Sequence, residues 1–210
     1  AYAGGITGYS RDSTNFVFNN VNVVPGSFPI YIIGGQAAAG VFAQKSSGKV
    51  FSSVTAKDIK IGGSSDYPLY IIAASSDAYA SGVFGSLATN AFTFENVEVS
   101  HTVVAADYAF GLYYKVNNNG VSLNNVNVFN NYLQGKKAVS AVINGIYGTL
   151  TINELYAGDN TIVKAGADEN LGVIMNEVAS GKTLSGDYIL TKGNSLKYGT
   201  LKSDFSYTWF

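Results

Sequence analysis

Cysteine is absent from this chain, so no disulfide staples it and no thiolate serves as nucleophile or metal ligand. That suits a bacterial surface protein and a cytosolic one equally. Charge is scarce: 13% of the 210 residues are Asp, Glu, Lys or Arg, about half of the ~25% usual in soluble domains. The net charge is −1 and the single arginine is Arg11, which excludes the basic footprint that nucleic acid or an anionic membrane selects. Long apolar runs are also missing. Residues 68–74 make one of the longest, far short of the ~20 residues that span a bilayer. No basic-then-apolar leader opens the chain, and a start inside repeat-like sequence points to a processed or excised piece. Proline falls to three residues while glycine reaches 24, and Asn and Ser are plentiful. Solubility must then come from hydroxyls and amides, a surface common on secreted bacterial proteins and phage fibres. With 47% apolar and 13% aromatic residues the chain can bury a substantial core as one domain.

What the sequence does contain is a pattern. The segment FTFENVEV at 92–99 puts apolar residues at positions 1, 3, 6 and 8 and Asn at position 5. It returns as FVFNNVNV at 16–23, VTAKDIKI at 54–61, VSLNNVNV at 121–128, LTINELYA at 150–157 and, weakly, LSGDYILT at 184–191. The intervals are 38, 38, 29, 29 and 34 residues, so the unit is constant and the connections are elastic. Alternation on both sides of position 5 means two short half-buried strands, and the one-residue slip of phase between them means a corner. Asn and Asp tolerate the left-handed backbone such a bend needs. Asn20, Asp58, Asn96 and Asn125 hold that place in four copies. Stacked in register they form an internal column, each amide bonding the next and satisfying backbone groups at the bend.

The polar positions give the same register. A hydroxyl fills position 2 in five of six copies, at 55, 93, 122, 151 and 185, and Lys57 falls beside Glu95 and Lys60 beside Glu98. A second element, a small residue or glycine before a branched one, recurs along the column Gly5, Gly40, Gly82, Gly111, Ala141, Gly172. Glycine there leaves room for close backbone approach. A third element aligns SFPIYIIGG (27–35) with DYPLYIIAA (66–74) at a spacing of 39 and shrinks in the short repeats to segments such as 101–105 and 161–165. The long copies carry their insertion here, and 28–36 and 67–77 should protrude. Turns are expected at 46–49, 87–90 and 117–120. At 168–179 a helix capped by Asp168 competes with strand, and strand is preferred because Gly172-Val173 fits the glycine column.

Three short strands per repeat, stacked in parallel, make an all-β, right-handed parallel β-helix (β-solenoid) of about six rungs, a rod of roughly 30 Å at ~4.8 Å per rung. Its repeat units run roughly 1–35, 36–77, 78–106, 107–135, 136–166 and 167–198, with a tail at 199–210. An antiparallel β-sandwich would explain the alternation but not matched polar columns. The segments FENVEV and FNNVNV resemble the parallel β-helix repeats of bacterial secreted proteins. AGGITGY resembles the so-called GLUG repeat of bacterial surface proteins and immunoglobulin A peptidase N-terminal regions. The resemblance covers about residues 1–165 and implies an extracellular adhesin-like or autotransporter-passenger-like scaffold with no catalytic residues to carry over.

Such folds also host polysaccharide lyases and hydrolases, which need clustered carboxylates and a basic group at the sugar acid. Here Asp58, Glu95, Asp66 and Asp77 read as corner, exposed-pair and loop residues, and His101, the only histidine, follows a strand end. No catalytic residue, metal ligand or cofactor is assigned. Binding is the stronger option. Tyr67, Tyr70, Tyr79, Tyr108, Tyr113 and Tyr114 either stack on sugar rings as an outward ladder or pack in and over the core. The partners implied are host or microbial surface glycans or proteins, and further copies added end to end through open strand edges.

Overall fold

The computed structural model describes residues 1–10, 15–45, 52–86, 91–116, 120–166 and 170–199. Arg11, the turns expected at 46–49 and 87–90, most of the turn at 117–120, Asp168 and the tail from 200 onward lie outside them. The motif copies build the first face of a coiled chain. Phe16–Val23, Val54–Gly62, Phe92–Ser100 and Val121–Phe129 lie side by side, followed by the split pairs Leu150–Ile152 with Leu155–Gly158 and Leu184–Gly186 with Ile189–Lys192. Their first residues align across neighbouring strands in the order Phe16, Val54, Phe92, Val121, Leu150, Leu184. The register is therefore the one the sequence intervals dictate.

A second face takes Ile30–Gly34, Leu69–Ala73, Thr102–Phe110, Tyr132–Ser140, Thr161–Lys164 and Ser195–Tyr198, with Tyr2–Gly4, Ala37–Ala39 and Tyr79–Ser81 along its far half. The third takes Thr7–Ser10, Phe42–Lys45, Phe84–Ser86, Tyr113–Val116, Ile143–Ile146 and Glu177–Val178. Pairing is parallel on all three faces, which removes the antiparallel sandwich and leaves an all-β parallel solenoid. Alternate side chains point inward into one continuous apolar core, rich in phenylalanine around Phe18, Phe42, Phe84, Phe92 and Phe94 and in Val, Leu and Ile beyond. The stretch 168–179 is strand where it is ordered into pairs: Leu171–Gly172 joins Val139 and Ser140, and Glu177–Val178 joins Gly145 and Ile146. Among the described residues there is no helix.

Position 5 is the corner that the phase slip demands. Asn20, Asp58, Asn96 and Asn125 have φ of 55°, 53°, 54° and 52°. The amide of Asn96 donates to Asp58 Oδ1 at 2.9 Å, and that of Asn125 donates to Asn96 Oδ1 at 3.0 Å. The file exists, but it is on the solvent side; the expectation of an internal column is corrected. A tight bend pushes its αL residue outward, so these amides bond each other rather than buried backbone.

A second asparagine file does the internal work. In the compact rungs the chain turns from the first face to the second through one left-handed residue, His101, Asn130 or Asp159, with φ of 51°, 53° and 53°. The next residue points inward. Asn131 and Asn160 are each 1% exposed, and their amides donate to Val99 O at 3.0 Å and Val128 O at 2.9 Å. Each also donates to the next asparagine, Asn131 to Asn160 Oδ1 at 3.0 Å and Asn160 to Asn194 Oδ1 at 2.9 Å. The file ends on Thr102, whose N–H and hydroxyl both donate to Asn131 Oδ1. Buried polar groups left unpaired by the turn are thereby satisfied.

The insertions are placed differently from the sequence expectation. Ile30 pairs with Leu69 and Leu69 with Thr102, so the aligned segments at spacing 39 are strands of the sheet and not the inserted loops. In the second rung the extra residues flank that strand: fifteen positions separate Val54 from Leu69 against ten from Phe92 to Thr102, and ten separate Leu69 from Tyr79 against six from Thr102 to Tyr108. The first rung shares the extra residues ahead of that strand, with fourteen positions from Phe16 to Ile30, and adds others elsewhere, with twelve from Phe42 to Val54 against eight from Phe84 to Phe92. Phe28, 79% exposed in the loop before Ile30, does protrude.

Both expected charge pairs form on the outer side of the first face, Lys57–Glu95 at 2.7 Å and Lys60–Glu98 at 3.1 Å. Exposed pairs of this kind add little stability. Glu95→Lys should lower the urea midpoint at low salt by placing like charges on adjacent strands, and the difference from the parent should shrink in 1 M NaCl. A loss independent of salt would mean the carboxylate acts through packing instead.

Candidate functional site

The six tyrosines singled out by sequence divide into three groups. Tyr113 is 1% exposed and packs against Phe92, with ring centroids 5.0 Å apart. It is a core residue, and its candidacy as a surface contact is corrected; because side chains alternate, its neighbour Tyr114 faces out. Tyr70 stacks on Tyr31 with centroids 4.5 Å apart and planes 11° from parallel, on the outer side of the second face. Tyr31 is 55% exposed, and Tyr67 stands 39% exposed on the adjoining loop.

Tyr79, Tyr108 and Tyr114 gather near the corner between the second and third faces. Tyr114 stacks on Tyr79 at 4.8 Å and meets Tyr108 edge-on at 6.0 Å. Burial raises the Tyr114 hydroxyl above its ordinary pKa, reinforced by Tyr108 and Asp77. Lys137 lies 5.8 Å above the Tyr108 ring and pairs with Asp77. The backbone N–H of Asp77 in turn donates to Asp107 Oδ2 at 2.9 Å. These rings are braced by one another and by an ion pair, which fixes their positions and also uses much of their faces.

The carboxylates weighed as catalytic are dispersed. Asp58 belongs to the exposed asparagine file, Glu95 holds Lys57, Asp77 holds Lys137 and Asp66 is exposed on a loop. Among the described residues no group of three or more His, Cys, Asp or Glu could hold a metal ion. No helix among them is long and apolar enough to cross a membrane.

No family model, curated protein or solved structure matches the chain. The site must therefore be judged on its own geometry.

One hollow interrupts the outer side of the first face at its C-terminal end. It has a volume of about 350 Å³ and is lined by Asn127, Glu154, Tyr156, Tyr188, Ile189 and Leu190. Asn127, Tyr156 and Leu190 are in-register neighbours on successive strands. Glu154 and Tyr188 occupy the corner position that Asn or Asp fills in four earlier copies. At Glu154 the strand breaks, and the neighbouring Asn153 bonds Asn124 instead. Tyr188 keeps the left-handed turn with φ 54° and holds its side chain 86% exposed. A bulky residue in that conformation costs about 1–2 kcal/mol. None of these hollow residues was among the sequence candidates. The signal was there, as the two departures from Asn or Asp in an otherwise regular column.

His101 is half-buried at its corner. Burial lowers its pKa below the usual histidine value, with Glu98 opposing. Protonation is thus disfavoured in the folded chain, and stability should decline as pH falls through and below ~6.5. His101→Asn, the residue found at 130, removes the titration. Its stability advantage over the parent should widen from pH 8 to pH 5 in urea unfolding, and an advantage independent of pH would contradict this account.

Proposed function

We propose that this chain is a non-catalytic segment of a cell-surface or secreted bacterial protein, an adhesive scaffold that works by shape and by its polar, aromatic surface. The observation that carries the reading is the outward stack of Tyr31 on Tyr70. A parallel, in-register backbone sets equivalent side chains one strand spacing apart, ~4.8 Å, and so presents flat rings at fixed intervals. Rings held in advance bind with little loss of rotamer entropy, which suits an extended partner. The resemblance to GLUG and parallel β-helix repeats, the low charge and the abundance of amides and hydroxyls support an extracellular location. The partners fitted by this surface are host or microbial glycans or proteins.

A second reading, a glycan-binding β-helix that also cleaves its ligand, shares the aromatic surface, but the carboxylates that lie together there, Asp77 and Asp107, are each paired with a lysine. Incubation with a panel of polysaccharides, scored for retention and for new reducing ends, separates the two. Retention without cleavage is expected, and release of reducing ends would overturn the non-catalytic reading. End-to-end addition of copies is the remaining part of the proposal, since strand Phe16–Val23 borders only Val54–Gly62 among the described residues. Electron microscopy at high protein concentration should show lengthening rods; uniformly short particles would remove self-stacking.

A further inference from the structure

We infer that the hollow at Glu154 is a binding subsite for an uncharged pyranose ring, a reading that rests on the adhesive role and names one of its ligands. Corner chemistry provides the first step. Four copies use Asn or Asp, the residues that turn left-handed most readily, and Asp58, Asn96 and Asn125 bond their side chains in file. The last two copies abandon that solution where the face is hollowed. Tyr188 keeps the strained conformation although Asp187, a natural turn former, stands beside it. Strain that the fold does not require, at a cavity, points to use.

The lining supplies the second step. Tyr156 and Tyr188 offer ring faces, Leu190 and Ile189 an apolar floor, and Glu154 and Asn127 a polar edge. A pyranose has the matching division, C–H groups on its faces and hydroxyls around its rim. Its faces stack on aromatic rings, and adjacent hydroxyls donate to the two oxygens of a carboxylate. Asn127 donates one amide proton to Asn125 Oδ1 at 3.2 Å and keeps its carbonyl oxygen as an acceptor. The Tyr156 hydroxyl donates to Asp159 Oδ2 at 3.3 Å, which anchors that ring.

Charge selects a neutral sugar. On the same face Glu95 and Glu98 are each neutralised by a lysine, whereas among the described residues Glu154 has no such partner. With Asp159 and Asp187 nearby in sequence, an anionic sugar acid would meet repulsion. A volume near 350 Å³ lies at the low end of the ~300–1,000 Å³ typical of small-ligand sites, room for one or two rings rather than a folded partner.

Calorimetric titration of the full chain with cellohexaose tests the assignment, with oligogalacturonate as anionic probe and choline as cationic probe. Cellohexaose should bind and the other two should not. Tyr188→Asn keeps the turn and should leave the melting temperature equal or higher while weakening cellohexaose by about tenfold. Glu154→Gln should weaken it by a smaller factor, and Tyr31→Ala should leave it unchanged. Preference for choline or oligogalacturonate, no binding of cellohexaose, or binding indifferent to Tyr188→Asn would each overturn the subsite. Cellohexaose binding lost in Tyr31→Ala but kept in Tyr188→Asn would overturn the subsite and leave the adhesive reading standing. Retention of the chain on no polysaccharide or cell surface would remove that reading separately.

Discussion

Asn131→Leu is expected to cost about 3–5 kcal/mol of folding stability, because Asn131 makes four polar side-chain contacts in the interior that the larger, apolar leucine cannot replace. Its Oδ1 accepts from the N–H and the hydroxyl of Thr102, at 3.0 and 2.8 Å. Its amide donates to Val99 O and to Asn160 Oδ1, both at 3.0 Å. Leucine leaves a donor N–H, a hydroxyl and a backbone carbonyl without these partners where water does not reach, while Asn160 Oδ1 keeps the backbone N–H of residue 131 at 3.1 Å; each loss costs about 1–3 kcal/mol, partly recovered by local rearrangement. Asn96→Leu makes the informative comparison. It breaks two bonds of the outer file, but water replaces them, and the expected loss is the ~1–2 kcal/mol of placing leucine at φ 54°. Urea unfolding of the two variants at equal m-value should separate them clearly. Equal losses would mean that the buried file is not what secures the turn from first to second face.

Why the outer file was legible and the inner one was not has a physical reason. Both recur at the repeat interval: Asn20, Asp58, Asn96 and Asn125 at position 5, and Asn131, Asn160 and Asn194 ten residues after the start of their copies. A slip of hydrophobic phase marks position 5 as a corner, so its residue type explains itself. No slip marks position 11, because the corner there is made by the residue before it. Sequence intervals fix register well, since parallel pairing of like with like follows from them. They fix the side of a turn poorly: whether an amide faces water or core depends on the direction in which the chain leaves the bend.

The same limit governs the tyrosines. Tyr113 and Tyr114 are adjacent and one of them must point inward, but composition alone gives no phase for a four-residue strand. Phe84, its register partner, fixes it in the structure. Insertions were misplaced for a related reason. Two repeats of 38 residues look equivalent, yet loop length is distributed differently around each rung, because a solenoid constrains only the strands that stack.

Gly82→Ala is the second large effect, about 3 kcal/mol, and its cause is space rather than backbone freedom, since Gly82 is not among the positive-φ glycines. Gly5, Gly40, Gly82 and Gly111 lie over one another where the second face turns into the third, followed by Ala141. A Cβ on Gly82 would stand 1.9 Å from the carbonyl oxygen of Gly111 and 2.7 Å from Val99 Cγ1. The same atom on Gly40 would meet Gly82 O at 2.0 Å, and on Gly111 it would meet Ala141 O at 1.8 Å. The obstacle in each case is the next rung's backbone, which cannot rotate aside as a flexible side chain would. Gly172, grouped with this column on sequence, lies opposite Ser140 instead, and Val173 O accepts the Ala141 N–H at 3.0 Å, so the glycine file stops at the position where alanine first occurs. Gly26→Ala is the control: nothing lies within 4 Å of its Cβ, and the substitution should be neutral or stabilising by up to about 1 kcal/mol through the unfolded chain. If thermal unfolding showed Gly82→Ala as mild as Gly26→Ala, neighbouring rungs would be free to move apart at this corner, and close backbone approach would not be what selects glycine there.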